Sequence, residues 1–254
     1  MSLILTPYRS RCWRTDLQWP DKGGQTKPRK VMLWANRNGF FYVIDRTTGQ
    51  FLLGKPFVEV DWASGIDDKG RPIRVPGQVP STEGTLVHPG DRGGTGWYSP
   101  SYSPRTGLFY IPVWANYFSI YTKHGVTYRE GRDYAGGTPR SPMPDEPSYR
   151  QNFWKEEEGY GAVRAIDPQT GARKWEFKMP NVTDAGILTT ASDVLFSGGR
   201  DGYFFALDAR NGTLLWKVSV GGTVASGPMT YAVAGRQYVA IAAGNSLFAF
   251  ALRQ

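Results

Sequence analysis

The sequence predicts an all-β fold of the β-propeller class, with about four four-stranded antiparallel blades, and two observations carry this prediction. The first is a repeated motif in which a short apolar run ends at Asp, Gly follows four residues later, and Trp follows eight residues later. The second is the interval, because Asp167 and Asp208 stand 41 residues apart, about the length of one propeller blade. A third copy at Asp45 has Leu53 in place of the Trp.

Each residue of the motif has a structural reason. The Asp carboxylate accepts hydrogen bonds from backbone N–H groups just downstream, and the Gly supplies the positive φ of a tight turn. The flat ring of the Trp buries a large area between neighbouring sheets. We therefore interpret the repeated Asp and Trp residues as turn and packing residues and not as catalytic ones.

The composition agrees with many strands joined by turns, since the 254 residues include 31 Gly and 18 Pro. The net charge of +8 is scattered, and the densest basic stretch, residues 22–30, has no accompanying nucleic-acid-binding motif, so a nucleic-acid partner is not predicted. Cys12 is the single cysteine, and His88 and His124 lack the spacing of a metal motif. No catalytic or metal-ligating residue is assigned.

No membrane-spanning or targeting segment is predicted. Residues 1–5 have no basic flank and too short an apolar run for a secretory signal. The uncharged stretch 218–235 is interrupted by Gly and Pro, so it is interpreted as strand, turn and strand.

The chain divides into an irregular N-terminal segment, residues 1–29, and a partial propeller, residues 30–254. Apolar runs separated by Gly, Asn and Pro signals predict strands at residues 31–35, 40–44, 50–53, 97–101, 108–114, 162–166, 174–177, 186–190, 194–197, 203–207, 214–218, 225–231, 237–242 and 246–252.

Two long segments, at about 54–98 and 121–160, show no strand period and are predicted to be insertions. The first and last blades each show three strands, although the first could take its missing strand from the N-terminal segment. The open sheet edges predict association with a missing N-terminal half of the propeller or with a second copy.

Residues 34–49, WANRNGFFYVIDRTTG, resemble the quinoprotein alcohol dehydrogenases of the methanol and ethanol dehydrogenase type, and the match continues at residues 100–110 and around Trp175 and Trp216. The resemblance spans residues 30–252. It implies the C-terminal half of an eight-bladed propeller that holds pyrroloquinoline quinone (PQQ), oxidises an alcohol and works in the periplasm.

The resemblance also implies one site residue. Arg37, in the turn of the first hairpin, would contact the quinone oxygens, where a fixed positive charge stabilises the reduced quinone. Without the resemblance, Arg37 reads as an exposed turn residue. The calcium ligands, the paired cysteines and the catalytic Asp of the family lie in its N-terminal half, so the isolated chain is expected to be inactive. Asp67 and Asp68 lie in a Gly-rich insertion with no partner residues for a metal site, and the run 156–158 is interpreted as a solvated charge run.

Three positions depart from the family pattern. Gly96 stands where an Asn commonly precedes the Trp, Asp184 stands near a Trp of the methanol dehydrogenases, and residues 243–246 replace a Gly-Gly-Trp loop. An alternative function is a cofactor-free propeller scaffold that binds other proteins in the periplasm. A periplasmic outer-membrane assembly lipoprotein uses similar blades in this way.

Overall fold

The computed structural model describes residues 12–21, 23–123, 127–131, 137–140 and 159–252, and every regular element in these ranges is a β-strand. The strands are β1 (Trp13–Pro20), β2 (Thr26–Ala35), β3 (Phe40–Asp45), β4 (Phe51–Pro56), β5 (Ala63–Ile66), β6 (Pro72–Arg74), β7 (Thr85–Val87), β8 (Ser101–Ser103), β9 (Leu108–Ala115), β10 (Ser119–Lys123), β11 (Gly137–Arg140), β12 (Tyr160–Ile166), β13 (Arg173–Met179), β14 (Leu188–Thr189), β15 (Val194–Gly198), β16 (Tyr203–Asp208), β17 (Leu214–Ser219), β18 (Met229–Val233), β19 (Arg236–Ala243) and β20 (Ser246–Phe250).

Four antiparallel sheets follow one another along the chain, which confirms the predicted fold class. Blade 1 is β1–β4, blade 2 is β8, β9, β12 and β13, blade 3 is β14–β17, and blade 4 is β18–β20. In each of them, strands that are consecutive within the blade are hydrogen-bonded neighbours. In the part of the chain that is described, no helix is long and apolar enough to cross a membrane.

The N-terminal segment differs from the prediction. Residues 13–20 form β1, which pairs with β2 from Trp13 opposite Leu33 to Pro20 opposite Thr26. Blade 1 therefore has four strands and takes its first strand from the N-terminal segment, as the sequence analysis allowed, although that segment was expected to be irregular. The cause is that only Leu17 and Trp19 of β1 are buried, so the strand has little apolar periodicity to recognise.

The segments predicted as insertions also contain strands. β5 pairs with β6, and β10 lies between β7 and β11 in a small sheet. The first strand of blade 2 was wrongly placed at 97–101, because residues 101–103 form that strand and Trp97 lies in the loop before it. In blade 4 three strands are observed, as expected.

The three Asp turns have the same geometry. The backbone N–H groups of Gly49, Gly171 and Gly212 donate to the carbonyl oxygens of their motif Asp residues, each at 2.8 Å. The three glycines have φ of 76°, 73° and 77°. Each Asp carboxylate accepts from the N–H two residues downstream, at 2.8–2.9 Å, so the turn is satisfied internally as the sequence predicted.

The motif Trp joins one blade to the next. The indole of Trp175, in blade 2, lies on Gly212 of blade 3, where an added Cβ would stand 2.6 Å from the ring. Trp175 Nε1 also donates to Ala209 O at 3.1 Å, and the hydroxyl of Tyr110 donates to the same carbonyl at 2.9 Å. An aromatic side chain of one blade thus packs against the Asp turn of the next blade.

Apolar layers fill the space between consecutive blades. Phe41 and Val43 of blade 1 pack with Phe109 and Ile111 of blade 2. Similar layers join blade 2 to blade 3 and blade 3 to blade 4. The face of blade 1 that points away from blade 2 is covered by Ala63 of β5, whereas Met229 and Leu247 on the outer face of blade 4 are 58% and 75% exposed.

We predict that Gly212→Ala destabilises the protein more than Gly49→Ala. Both substitutions place a Cβ at φ near +77°, which costs about 1–2 kcal/mol. Only the Ala at 212 also collides with Trp175, because Gly49 has no neighbour within 4 Å of the added Cβ. Overpacking adds about 1–3 kcal/mol. Urea unfolding of both variants measures the difference, and equal losses would contradict the interblade contact.

Candidate functional site

The connection between the second and third strands of each blade lies at the same end of the blade. In blade 1 this connection contains Arg37, and in blade 3 it contains Arg200. In blade 2, Trp114 lies at the end of β9, just before the connection begins. These three residues and the loop 91–98 line a cavity of about 340 Å³. The repeated topology therefore brings together residues that are far apart in sequence.

The turn that carries Arg37 is fixed by its own hydrogen bonds. Asn36 Oδ1 accepts from the N–H of Asn38 at 3.0 Å, and Asn38 Oδ1 accepts from the N–H of Phe40 at 3.0 Å. The N–H of Gly39 closes the turn on Asn36 O at 3.1 Å, with φ of 95°. The predicted Asn/Gly hairpin is confirmed, and its backbone holds the Arg37 side chain in a defined place.

Arg37 is half-buried and not a free surface residue. Its Nη2 donates to the carbonyl oxygen of Asp91 at 2.8 Å. Burial lowers the pKa of the guanidinium, and the nearby Asp91 carboxylate opposes this shift. Arginine side chains are cationic at neutral pH because their ordinary pKa lies far above 7. Arg37 therefore lies in the predicted turn but is less exposed than an ordinary turn residue.

The loop before blade 2 is hydrogen-bonded to the Arg37 backbone and packs closely against it. Gly94 N–H donates to Arg37 O at 3.0 Å. Gly93 has φ of 78°, and an added Cβ would stand 2.5 Å from Arg37 O and 2.8 Å from Arg37 Cβ. Only glycine fits this close approach, so the loop and the turn form one rigid unit.

Tyr98 and Arg200, which line the cavity, are joined through the carboxylate of Asp184 behind them. Tyr98 Oη donates to one carboxylate oxygen of Asp184, and Arg200 Nε donates to the other. The Arg200 guanidinium also lies over the Trp114 ring, 5.2 Å from its centroid. Burial, followed by the hydrogen bond to Asp184, raises the pKa of Tyr98. Tyr98 is therefore a neutral hydrogen-bond donor.

A second cavity of about 330 Å³ lies on the other side of Arg37. Its walls come largely from the segments predicted as insertions and include Trp62, Arg74, Pro89 and Tyr121. Burial raises the pKa of Tyr121 to about 12. Arg37 is thus shared by an aromatic, arginine-rich cavity and a proline-rich one.

Other residues considered from sequence lie elsewhere. Asp67 closes its own turn by accepting from Lys69 and Arg71 N–H groups at 2.9 and 2.8 Å. His88 Nδ1 is 2.9 Å from Asp61 Oδ2. Among the described residues, no group of three His, Cys, Asp or Glu side chains could hold a metal ion.

Two further sequence interpretations, those of His124 and of the run 156–158, concern residues outside the described ranges. Tyr98, Arg92 and Arg200 belong to no motif, so the sequence predicts no site role for them. The departures from the family pattern at Gly96 and Asp184 were the one available signal, since both flank this cavity.

The curated relatives of this chain include quinoprotein alcohol dehydrogenases. The chain is 38% identical over 225 residues to the dehydrogenase subunit of alcohol dehydrogenase (quinone) from Gluconacetobacter polyoxogenes, which covers 85% of the chain and 30% of that protein. A family model described as outer membrane protein assembly factor BamB matches residues 159–253. The chain spans about a third of the length of the curated relatives that it matches.

Solved structures with the same architecture come from similar enzymes. The quinohemoprotein alcohol dehydrogenase of Comamonas testosteroni superposes with a TM-score of 0.79 at 30% identity, covering 92% of this chain and 34% of that one. A europium-containing methanol dehydrogenase superposes with a TM-score of 0.73 at 30% identity, covering 90% of this chain and 38% of that one.

We predict that Gly93→Ala loosens the turn that carries Arg37. The added Cβ collides with the Arg37 backbone, whereas at Gly77, with φ of 83°, the same change meets nothing within 4 Å. Gly93→Ala should lower the melting temperature by several degrees more than Gly77→Ala, at about 2–4 °C per kcal/mol for a chain of this size. Equal shifts in melting temperature would show that the close packing of Gly93 against Arg37 does not stabilise the turn.

Proposed function

We propose that this chain, a relative of the quinoprotein alcohol dehydrogenases, forms the part of a PQQ-dependent alcohol dehydrogenase propeller that supplies one side of the quinone site. The observation that carries the proposal is the cavity between the three blades, which is lined by Arg37, Arg92 and Arg200 together with aromatic rings. We further propose that the complete enzyme works in the periplasm.

The residues of the cavity fit a planar, negatively charged aromatic group. PQQ carries three carboxylates on a fused ring system, and guanidinium groups bind carboxylates through paired N–H donors. Trp97, Tyr98 and Trp114 offer flat apolar surface beside these cations. The volume of about 340 Å³ lies within the range of small-molecule sites.

The roles of the chain's own residues follow from this placement. When bound, PQQ supplies the electron-accepting carbonyl for oxidation of an alcohol. Arg37 is held by its turn and by Gly93, and it would place a fixed positive charge beside a quinone oxygen. We propose that the metal ligands and the catalytic base lie in the rest of the propeller, so that the isolated chain does not oxidise alcohols.

The partner that we propose for blade 4 is another blade of the same propeller. The outer face of blade 4 presents Met229, Tyr231, Val233 and Leu247, each at least 38% exposed. Between the blades of this chain, faces of the same apolar kind are covered by the next sheet. The chain spans about a third of the length of its curated relatives, which favours the remaining part of the propeller over a second copy as this partner.

A second candidate function is a cofactor-free platform for binding proteins. The specific observation in its favour is the match of residues 159–253 to the model described as outer membrane protein assembly factor BamB. These residues form two of the four strands of blade 2 together with blades 3 and 4. A protein-binding platform has no need for a half-buried Arg37 that lines two cavities. The presence of this residue therefore favours the dehydrogenase function.

We predict that the full chain binds PQQ and that Arg37→Gln weakens binding at least tenfold, because the cavity loses a buried cation. Quenching of Trp fluorescence during titration with PQQ measures the affinity. Arg46→Gln is the matched control, since Arg46 follows Asp45 at the opposite end of β3. Absence of quenching and of any melting-temperature shift in the unmodified chain favours the platform.

We predict that the isolated chain shows no dye-linked alcohol oxidation with PQQ and calcium, whereas a chimera does. The chimera carries this chain in place of the matched stretch of the Comamonas testosteroni enzyme.

Leu247→Glu in the chimera should abolish the activity, because it places a charge between blades. Leu215→Glu is the control and should leave the activity unchanged, since Leu215 is 55% exposed on an outer strand. Turnover by the isolated chain would contradict the proposal.

A further inference from the structure

Two of the positions at which this chain departs from the family pattern, Gly96 and Asp184, both contact Tyr98. Tyr98 packs over Gly96 so closely that an added Cβ would stand 2.6 Å from the Tyr98 ring. A side chain at position 96, such as the Asn common in the family, does not fit while Tyr98 is in this place. The same Tyr98 donates to Asp184, the residue near which methanol dehydrogenases carry a Trp.

Asp184 is held by a buried segment of backbone. Thr183 O accepts from Trp114 Nε1 at 2.8 Å, and Thr183 Oγ1 donates to Gly198 O at 2.7 Å. Thr183 is fully buried and Asp184 is 9% exposed. The Asp184 carboxylate is therefore fixed between blades 2 and 3, and both of its oxygens are engaged by Tyr98 and Arg200.

Arg200 is placed by these contacts with part of its guanidinium left for another acceptor. Its Nε donates to Asp184, and its planar group lies over Trp114. Within the described ranges, no hydrogen bond to protein involves its Nη1 or Nη2. These two nitrogens form the edge of the fork that binds a carboxylate, and the side chain lines the cavity.

We propose that Arg200, positioned by Asp184 and Tyr98, binds a carboxylate of a planar aromatic polycarboxylate in this cavity, so that it replaces the amide that the family commonly has at position 96. The inference rests on the proposed function for the identity of PQQ as the natural ligand. It assigns this chain an arginine-based carboxylate contact in the same cavity as Arg37. Arg92 adds a third, exposed cation at the rim.

Charge balance supports an anionic ligand. The cavity wall contains Arg37, Arg92 and Arg200 but only one carboxylate, that of Asp91. The Asp91 carboxylate accepts from Ser119 Oγ at 3.0 Å, and the Asp184 carboxylate behind the wall is engaged by Tyr98. Even with both carboxylates counted, the site keeps an excess positive charge, which an anion would offset.

The experiment uses the full chain with three probes: PQQ, its trimethyl ester, and benzene-1,3,5-tricarboxylate, which has the carboxylates without the quinone. Binding is followed by Trp fluorescence and by the melting temperature. Arg200→Gln should weaken binding of PQQ and of the tricarboxylate at least tenfold and leave binding of the ester unchanged. Arg200→Lys should recover part of the loss, since it keeps the charge without the fork.

Arg210→Gln is the matched control, because Arg210 also pairs with an Asp, Asp208, but at the opposite end of β16. It should leave binding of every probe unchanged. Melting temperatures without ligand show whether each variant is folded, and Asp184→Asn, which keeps the side-chain size, gives a second test. Asp184→Asn should weaken binding of both anionic probes, because Arg200 loses its ionic support.

The outcomes separate this inference from the proposed function. If the tricarboxylate binds through Arg200 but PQQ does not bind, the carboxylate site stands and the quinone function fails. If PQQ binds equally to the unmodified chain and to folded Arg200→Gln, the quinone function stands and this inference is overturned. If neither PQQ nor the tricarboxylate binds to the unmodified chain, this inference is also overturned.

Discussion

The contact between an aromatic side chain of one blade and the Asp turn of the next blade is the constraint on which the rest of the structure depends. Trp175 covers Gly212 and, together with Tyr110, donates to Ala209 O. A sheet with two apolar faces is not stable alone in water. The contact fixes both the distance and the rotation between neighbouring sheets, because it combines close packing with directed hydrogen bonds.

The same contact is made with different side chains at the junction of blades 1 and 2. There, Lys55 Cβ would stand 2.6 Å from a Cβ added at Gly171, and Leu53 lies 3.5 Å away. The turn glycine is thus required at both junctions, while the covering group can vary. This explains why the third copy of the motif tolerates Leu53 at the position of the Trp.

The candidate site is a consequence of this regular stacking. Since each blade turns in the same direction after its second strand, Arg37, Trp114 and Arg200 meet at one end of the molecule without any local sequence relation. The loop 91–98 then closes the space between blades 1 and 2, and Gly93 fits against Arg37. Rigid turns on packed sheets are suited to hold charged groups in fixed positions, which favours recognition of a charged ligand.

The sequence by itself determined most strands of the four blades, the Asp turns and the hairpin that carries Arg37. These features depend on residues close together in the chain: an apolar strand, an acceptor side chain and a glycine with positive φ. The resemblance of residues 34–49 then directed attention to Arg37, although its burial could not be read from the turn alone.

Only the tertiary structure decided the rest. β7 pairs with β10 across more than thirty residues, Val87 opposite Ser119, and strands of three to five residues carry too little periodicity to be recognised before they pair. The joining of Tyr98, Asp184 and Arg200 likewise depends on how blade 3 packs against blade 2. Local sequence encodes turns and strand faces, but the convergence of distant side chains is set by the packing angle between sheets, which no single segment contains.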